Sequence, residues 1–189
     1  MKNRNEKIRR MVGMAFMMAI VIVLQLLGQF IKIGPVVSIS LVLIPIVVGA
    51  AMFGPGAGAL LGGTFAFVVL IQADTVFFYD IHFWGTVLTV LVKGILAGWL
   101  AGLVYRLLAE KNRTIAVLAA AVVCPVVNTG VFFLGCRLFF WDALAKLGGG
   151  NAFMYVITVM IGWNFIAEFV TNIVCAPVIH RVLDAVKRP

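Results

Sequence analysis

The stretch LVKGILAGWLAGLVYRLL, residues 91–108, indicates how this chain folds. It is apolar on nearly every helical face and about as long as a bilayer-spanning helix, which needs about 20 mostly apolar residues. Gly94, Gly98 and Gly102 recur every four residues, a spacing that lets helix backbones approach closely in lipid. The stretch therefore predicts a transmembrane helix with one small-residue face, with Lys93 inside it and Arg106 near its C-terminal end.

The whole chain of 189 residues has the same character. It is 63% hydrophobic and 12% charged, whereas soluble domains average about 45–50% apolar and about 25% charged residues. This composition excludes a soluble globular domain, a disordered chain and a nucleic-acid binder with a solvated basic face. We predict an all-α, polytopic membrane protein with a single domain over residues 1–189. The predicted spans are 11–31, 36–53, 56–73, 84–106, 114–140 and 153–179.

The Lys and Arg residues predict the orientation of these six helices. With the N-terminus in the cytoplasm, eleven of them fall on the cytoplasmic side and three outside. Cytoplasmic loops of membrane proteins carry an excess of Lys and Arg. We therefore expect both termini in the cytoplasm, and Lys93 is left over inside a span.

Polar residues on four predicted helices share one depth. At about 1.5 Å of rise per residue, Lys93 lies roughly 13 Å from the outer end of its span and Asn164 roughly 16 Å from the outer end of its own. Gln25 and Asn128 also fall in the outer half. Intramembrane polar residues are costly and usually face the interior of a bundle. A shared depth favours a pocket that opens outward; the alternative is a structural network with a buried ion pair between Lys93 and Glu168.

The predicted outer loops, 74–83 and 141–152, are rich in aromatic residues. Such residues are typical of an interfacial belt, and they would equally suit a lid over a pocket, so both interpretations stay open. The glycine faces of the third and fourth spans, and the pair Ala15 and Ala19 in the first, have two interpretations as well. They either pack inside the bundle or dock another membrane protein.

Motifs for energy conversion or catalysis are absent from the sequence. It has no GxxxxGK[ST] phosphate loop, no HExxH and no GxSxG. A desolvated ammonium such as that of Lys93 favours a carboxylate or another strong acceptor as its partner. A small outward pocket without such motifs indicates a non-enzymatic binding subunit for a small acidic solute, which depends on partner proteins for energy.

Four stretches carry a resemblance to a known family: residues 9–27 (RRMVGMAFMMAIVIVLQLL), 91–108, 124–135 (CPVVNTGVFFLG) and 162–179 (GWNFIAEFVTNIVCAPVI). Together they resemble the substrate-binding S components of energy-coupling factor (ECF) vitamin transporters, in particular the pantothenate-type branch. The resemblance implies a multi-pass subunit in the plasma membrane of a prokaryote. Such a subunit binds a water-soluble vitamin outside and works with a transmembrane coupling protein, the T component, and two ATPase subunits.

The resemblance also implies roles for individual residues. The docking motif of the family maps onto Ala15 and Ala19. The residues expected at the substrate are polar or aromatic and lie in or beside the spans: Gln25, Trp84, Lys93, Asn128, Thr129, Trp163, Asn164 and Glu168. No metal, cofactor or nucleic acid is expected.

Pantothenate is the favoured vitamin, because its carboxylate suits Lys93 and its hydroxyls and amide suit Asn128, Thr129 and Asn164. Riboflavin is the alternative vitamin, since Trp84, Phe132, Tyr155 and Trp163 are suited to stack on a flavin. Two other classes of function are an intramembrane enzyme that uses Glu168 with Lys93, and a structural partner of other membrane proteins.

Overall fold

The computed structural model describes residues 2–28, 32–33, 37–38 and 41–187, with the side chains of residues 4–28, 41–162 and 164–184. Over these ranges the fold is helical apart from one pair of two-residue strands, which confirms the all-α prediction. In chain order the elements are α1 (Lys2–Gly28), β1 (Lys32–Ile33), β2 (Val37–Ser38), α2 (Leu43–Phe53), α3 (Pro55–Leu70), α4 (Ala73–Ala109), α5 (Arg113–Gly135), α6 (Trp141–Leu147), α7 (Ala152–Tyr155) and α8 (Gly162–Lys187). Two π-helical segments, Cys136–Phe140 and Val156–Ile161, join α5 to α6 and α7 to α8.

Four helical stretches in the described part of the chain are long and apolar enough to cross a bilayer. They are Arg4–Gly28, Ala73–Ala109, Arg113–Leu147 and Asn164–Asp184. Large apolar side chains remain exposed on them, for example Leu138 at 73% and Val174 at 68%. Lipid-facing surfaces have this character, so the helices indicate a multi-pass membrane protein.

The second predicted span, 36–53, is longer than the helix that the structure has there, α2. Helix α2 begins only at Leu43 and has 11 residues, about 16 Å of helix against the roughly 30 Å of a bilayer core. Upstream of it, Val37 and Ser38 pair antiparallel with Ile33 and Lys32. Hydropathy does not distinguish a short apolar strand from the start of a helix, so one apolar run contains both elements. Helix α3, at 16 residues, is also short.

Helices α2 and α3 meet at Gly54 without an intervening loop. Gly54 has φ +96°, a conformation that glycine adopts without steric cost. Pro55 follows as the first residue of α3, where its missing N–H would have no helical partner anyway. This pair of residues ends one helix and starts the next.

The glycine faces of α3 and α4 pack against each other. A Cβ added to Gly58 would overlap the carbonyl oxygen of Gly98, and one added to Gly62 would overlap that of Gly94. The reverse additions, at Gly94 and Gly98, would meet the carbonyl oxygens of Gly62 and Gly58. The two backbones are therefore in direct contact, which favours the internal-packing interpretation of these glycines over a docking face.

The predicted outer loop 74–83 is helical instead. Helix α4 starts at Ala73 and is interrupted only at His82, which has φ −158° and ψ 94°. The His82 Nδ1 accepts a hydrogen bond from the Gly85 N–H at 2.9 Å, and the Thr86 hydroxyl donates to the Phe78 and His82 carbonyls at 2.9 Å. These bonds satisfy backbone groups that the break would otherwise leave unpaired. The hydrogen bonds explain why residues 74–83, which have the composition of a loop, are helical.

Most of the second predicted loop, 141–152, is also helical, because α6 occupies Trp141–Leu147. The remaining turn uses Gly149 at φ +62° and Gly150 at φ +99°, and the Gly150 N–H donates to the Ala145 carbonyl at 2.8 Å. Left-handed backbone angles of this kind favour glycine. The turn reverses the chain between α6 and α7.

Two apolar clusters form the core. One is centred on α2 and on the adjoining parts of α5 and α8, with Leu43, Ile46 and Ile179 fully buried. The other lies around the π-helical segments, with Phe140 and Leu144 buried. A cavity takes lining residues from both clusters, and the candidate site lies in it.

Candidate functional site

A cavity of about 270 Å³ lies among α1, α3, α4, α5 and α8. Its lining combines aromatic with polar or charged side chains: Gln25, Phe65, Val69, Gln72, Asp74, Thr75, Phe78, Thr86, Thr89, Val90, Lys93, Asn128, Thr129, Phe132, Phe140, Met160, Ile161, Asn164, Phe165 and Glu168. The contributing parts include the end of α1, the second half of α3, the first half of α4, the second half of α5 and the start of α8. Because these helices alternate in direction along the chain, the parts meet at one end of the bundle.

Six residues expected at the substrate line this cavity together. They are Gln25, Lys93, Asn128, Thr129, Asn164 and Glu168. Trp84 does not line it, because it lies nine residues before Lys93, half a helical circumference away. Its side chain is 74% exposed. The side chain of Trp163 lies outside the described part of the chain, and Ala15 and Ala19 are exposed on α1.

Lys93 contacts two aromatic rings in the cavity. Its Nζ lies 5.7 Å from the ring centroid of Phe65 and 5.1 Å from that of Phe132, both within the range of a cation–π interaction. Phe65 belongs to α3, and the glycine contact beside it brings α3 close enough for this approach. The two rings stabilise the ammonium group without providing it with an anion.

Glu168 lines the same cavity and interacts electrostatically with Lys93. The two charges do not approach to the roughly 4 Å of an ion pair; the ion pairs among the described residues involve Arg113, His180 and Asp184 instead. The structure therefore contains no direct ion pair between Lys93 and Glu168. Such a pair was the structural alternative to a binding pocket. Both charged groups remain able to take a polar partner in the cavity.

Several buried polar atoms on the cavity wall have no hydrogen-bond partner among the described residues. They include the Thr89 hydroxyl and the Asn128 Oδ1, on residues that are 4% and 7% exposed. Buried polar groups in folded proteins are nearly always hydrogen-bonded, and leaving one unpaired costs about 1–3 kcal/mol. The cavity wall thus has unused hydrogen-bonding capacity beside a lysine.

Gln72 is a cavity residue that the sequence reasoning missed. It is 9% exposed, its Oε1 accepts from the Gln25 Nε2 at 3.0 Å, and its Nε2 donates to the Gln25 carbonyl at 3.2 Å. The pair joins α1 to the junction of α3 and α4. A glutamine at the end of an apolar run was the signal that could have identified it.

The first turns of α4, Ala73–Ile81, cover part of the cavity. Asp74, Thr75 and Phe78 line it from this segment, and the Phe78 ring packs edge-on against Phe132 and Phe140 at 5.8 Å and 5.1 Å between centroids. The Thr75 hydroxyl donates to the Val69 carbonyl at 2.6 Å. This geometry favours a cover over the cavity rather than a belt of aromatic residues alone.

Comparisons with known proteins identify the family. A family model described as "ECF transporter, substrate-specific component" matches residues 9–180, nearly the whole chain. No curated protein and no solved structure matches it. Members of this family are substrate-binding subunits of membrane vitamin transporters, not enzymes, and they work with a T component and ATPases. With its long apolar helices and its polar cavity, this chain belongs to the family of ECF transporter substrate-specific components.

Proposed function

We propose that this protein captures pantothenate from outside a prokaryotic plasma membrane and passes it inward with a T component and two ATPase subunits. The observation that carries the proposal is Lys93, a cationic side chain in a cavity without an anion at ion-pair distance among the described residues. A desolvated ammonium favours a carboxylate partner. The carboxylate of pantothenate would be that partner.

The remaining groups of pantothenate have candidate partners on the same wall. Asn128, Thr129 and Asn164 would bind its hydroxyls and amide. The volume of about 270 Å³ is near the lower limit of typical ligand pockets, about 300–1,000 Å³, which favours a small ligand over a flavin. Of the three aromatic residues considered for riboflavin whose side chains the structure describes, Phe132 lines the cavity, and Trp84 and Tyr155 do not.

The outward-facing orientation is part of the proposal. The cavity lies at the end of the bundle opposite the start of α1 and the end of α8, since it is built from the end of α1 and the start of α8. The excess of Lys and Arg near the chain ends favours a cytoplasmic position for both termini. In a single domain of six membrane-embedded helical segments, with α2 and α3 as the short ones, the cavity then opens outward.

The ligand can be identified directly. In native mass spectrometry of the gently purified protein, we expect an adduct with the mass of pantothenate. In a thermal-shift screen of all water-soluble vitamins, pantothenate should raise the melting temperature without ATP. Stabilisation by riboflavin alone would favour the alternative vitamin, and the absence of any stabilising vitamin would contradict the proposed function.

Docking of the T component is proposed for α1. Ala15 and Ala19 are both exposed, and large apolar neighbours such as Met11 and Phe16 are exposed by 70% and 64%. Small residues four apart let another membrane helix approach closely. The exposed face of α1 is therefore a suitable contact surface for a partner.

Replacing Ala15 by tryptophan should abolish co-purification with the T component while vitamin binding is retained. The larger side chain would keep a partner helix from approaching this face. Co-expression followed by affinity purification measures the complex, and the thermal shift measures the ligand. The matched control is Val174→Trp, which adds bulk to an exposed position of α8. If Ala15→Trp removed both activities, or neither, the docking role of this face would be wrong.

A further inference from the structure

We propose, on the basis of the proposed binding function, that the substrate bridges Lys93 and Glu168. In this arrangement Lys93 binds the carboxylate of the substrate, and Glu168 accepts a hydrogen bond from a donor group at its other end. The substrate class is then a small monocarboxylic acid that carries a hydroxyl group at the end away from the carboxylate. Glu168 is a specificity-determining residue for that donor.

The first step of the argument is the separation of the two charges. Lys93 is on α4 and Glu168 near the start of α8, and both line the same cavity. They interact electrostatically, but no ion pair joins them within the described chain. Opposite charges inside a membrane bundle normally pair with each other. Here both line one cavity instead, so a polar ligand of the right length can bind to both.

The second step is the balance of donors and acceptors on the wall. An ionised carboxylate only accepts hydrogen bonds, and an ammonium group only donates them. The Asn128 Oδ1 is a further acceptor that is buried and has no partner among the described residues. A ligand with acceptors alone would satisfy Lys93 and leave Glu168 and Asn128 unpaired, which is unfavourable in a desolvated site. The ligand must therefore bring donors as well.

The third step concerns the charge of the ligand. A dicarboxylic acid would bring its second anion close to Glu168, and like charges at short range disfavour binding. A neutral ligand would leave the charge of Lys93 uncompensated. The two residues together therefore select ligands with one negative charge, which excludes vitamins with two carboxylates.

The test compares Glu168→Gln with wild type on two ligands. These are pantothenate and its dideoxy analogue, which keeps the carboxylate and the amide but lacks both hydroxyls. By isothermal titration calorimetry, we expect Glu168→Gln to weaken pantothenate about tenfold, because the neutral amide oxygen of glutamine accepts a hydrogen bond more weakly than a carboxylate does. The analogue should bind wild type and variant with similar affinity, because it has no hydroxyl that could donate a hydrogen bond to Glu168.

Two controls separate this effect from damage to the fold. Glu110→Gln removes an exposed carboxylate in the turn between α4 and α5, and its affinity should equal that of wild type. Glu168→Asp keeps the charge but shortens the side chain by one methylene. It should weaken pantothenate while leaving the analogue unaffected, and it replaces Glu168→Gln if that variant does not fold.

Equal weakening of both ligands, or none of either, would overturn the bridge while leaving the proposed vitamin binding intact. Retention of a neutral or a dicarboxylic vitamin by the purified protein would overturn both the bridge and pantothenate as the ligand. If wild type bound no vitamin at all, the proposed function itself would fail, and the bridge with it. The two proposals therefore fail in distinguishable ways.

Discussion

Replacing Lys93 by methionine is expected to weaken pantothenate binding at least about 100-fold while the helical fold is retained. Removing one partner of a buried ionic contact costs about 3–5 kcal/mol, and each 1.4 kcal/mol is a factor of ten in affinity. The fold should survive because Lys93 has no ion-pair partner in the described structure, and its aliphatic stem is replaced by a side chain of similar length. Isothermal titration calorimetry measures the affinity, and thermal unfolding of the ligand-free protein measures the fold.

A ligand pair and a second lysine make this test specific. Panthenol carries a hydroxyl in place of the carboxylate, so it should bind wild type weakly and bind Lys93→Met equally weakly. Lys146→Met removes an exposed lysine from the end of α6 and should leave both affinities unchanged. Misassembly of Lys93→Met would support the structural interpretation of this residue, and unchanged pantothenate binding would exclude Lys93 from the site.

Replacing Gly62 by alanine should destabilise the protein by about 1–3 kcal/mol, the usual cost of overpacking a tight interface. The new Cβ would overlap the Gly94 carbonyl oxygen, which belongs to backbone and has no flexible side chain to move. The two helices must therefore separate. At about 2–4 °C per kcal/mol for a chain of this size, the melting temperature should fall by several degrees.

The adjacent Gly63 provides a matched control. A Cβ there meets only the Ile95 side chain, at an ordinary contact distance of 3.6 Å. Gly63→Ala should be neutral or stabilising, by up to about 1 kcal/mol, because alanine is the better helix former. Equal melting temperatures for the two variants would contradict the direct contact of α3 with α4. We also expect weaker ligand binding in Gly62→Ala, since Lys93 precedes the displaced Gly94.

The cavity residues were predictable to the extent that depth in the membrane constrains them. Gln25, Lys93, Asn128 and Asn164 share one depth in the predicted helices, and all four line one cavity. Depth alone does not say which face of a helix is buried. Trp84 has a suitable side chain, yet it lies on the face opposite Lys93. Comparing its helical angle with that of Lys93 would have excluded it.

Element boundaries were less predictable than element types. Residues 74–83 have the polar and aromatic composition of a loop, but bonds from His82 and Thr86 satisfy the backbone there and allow helix on both sides of the break. Residues 36–53 have the apolar composition of a span, but of the described residues in this range, 37–38 and 41–53, only 43–53 are helical. In both cases local hydrogen bonding outweighed composition, and hydropathy contains no information about it.

Composition was sufficient for the class of protein, since a chain that is 63% hydrophobic and 12% charged cannot cover itself with a polar surface. It was also sufficient to single out Lys93, the Lys or Arg residue that lies deepest in a predicted span. Which residues lie opposite Lys93 and the glycines depended on packing between helices distant in sequence. The glycines of α3 face those of α4, and Lys93 and Glu168 face a common cavity without touching. Contacts of this kind follow from the rotation and approach of whole helices, which depend on every packed face at once.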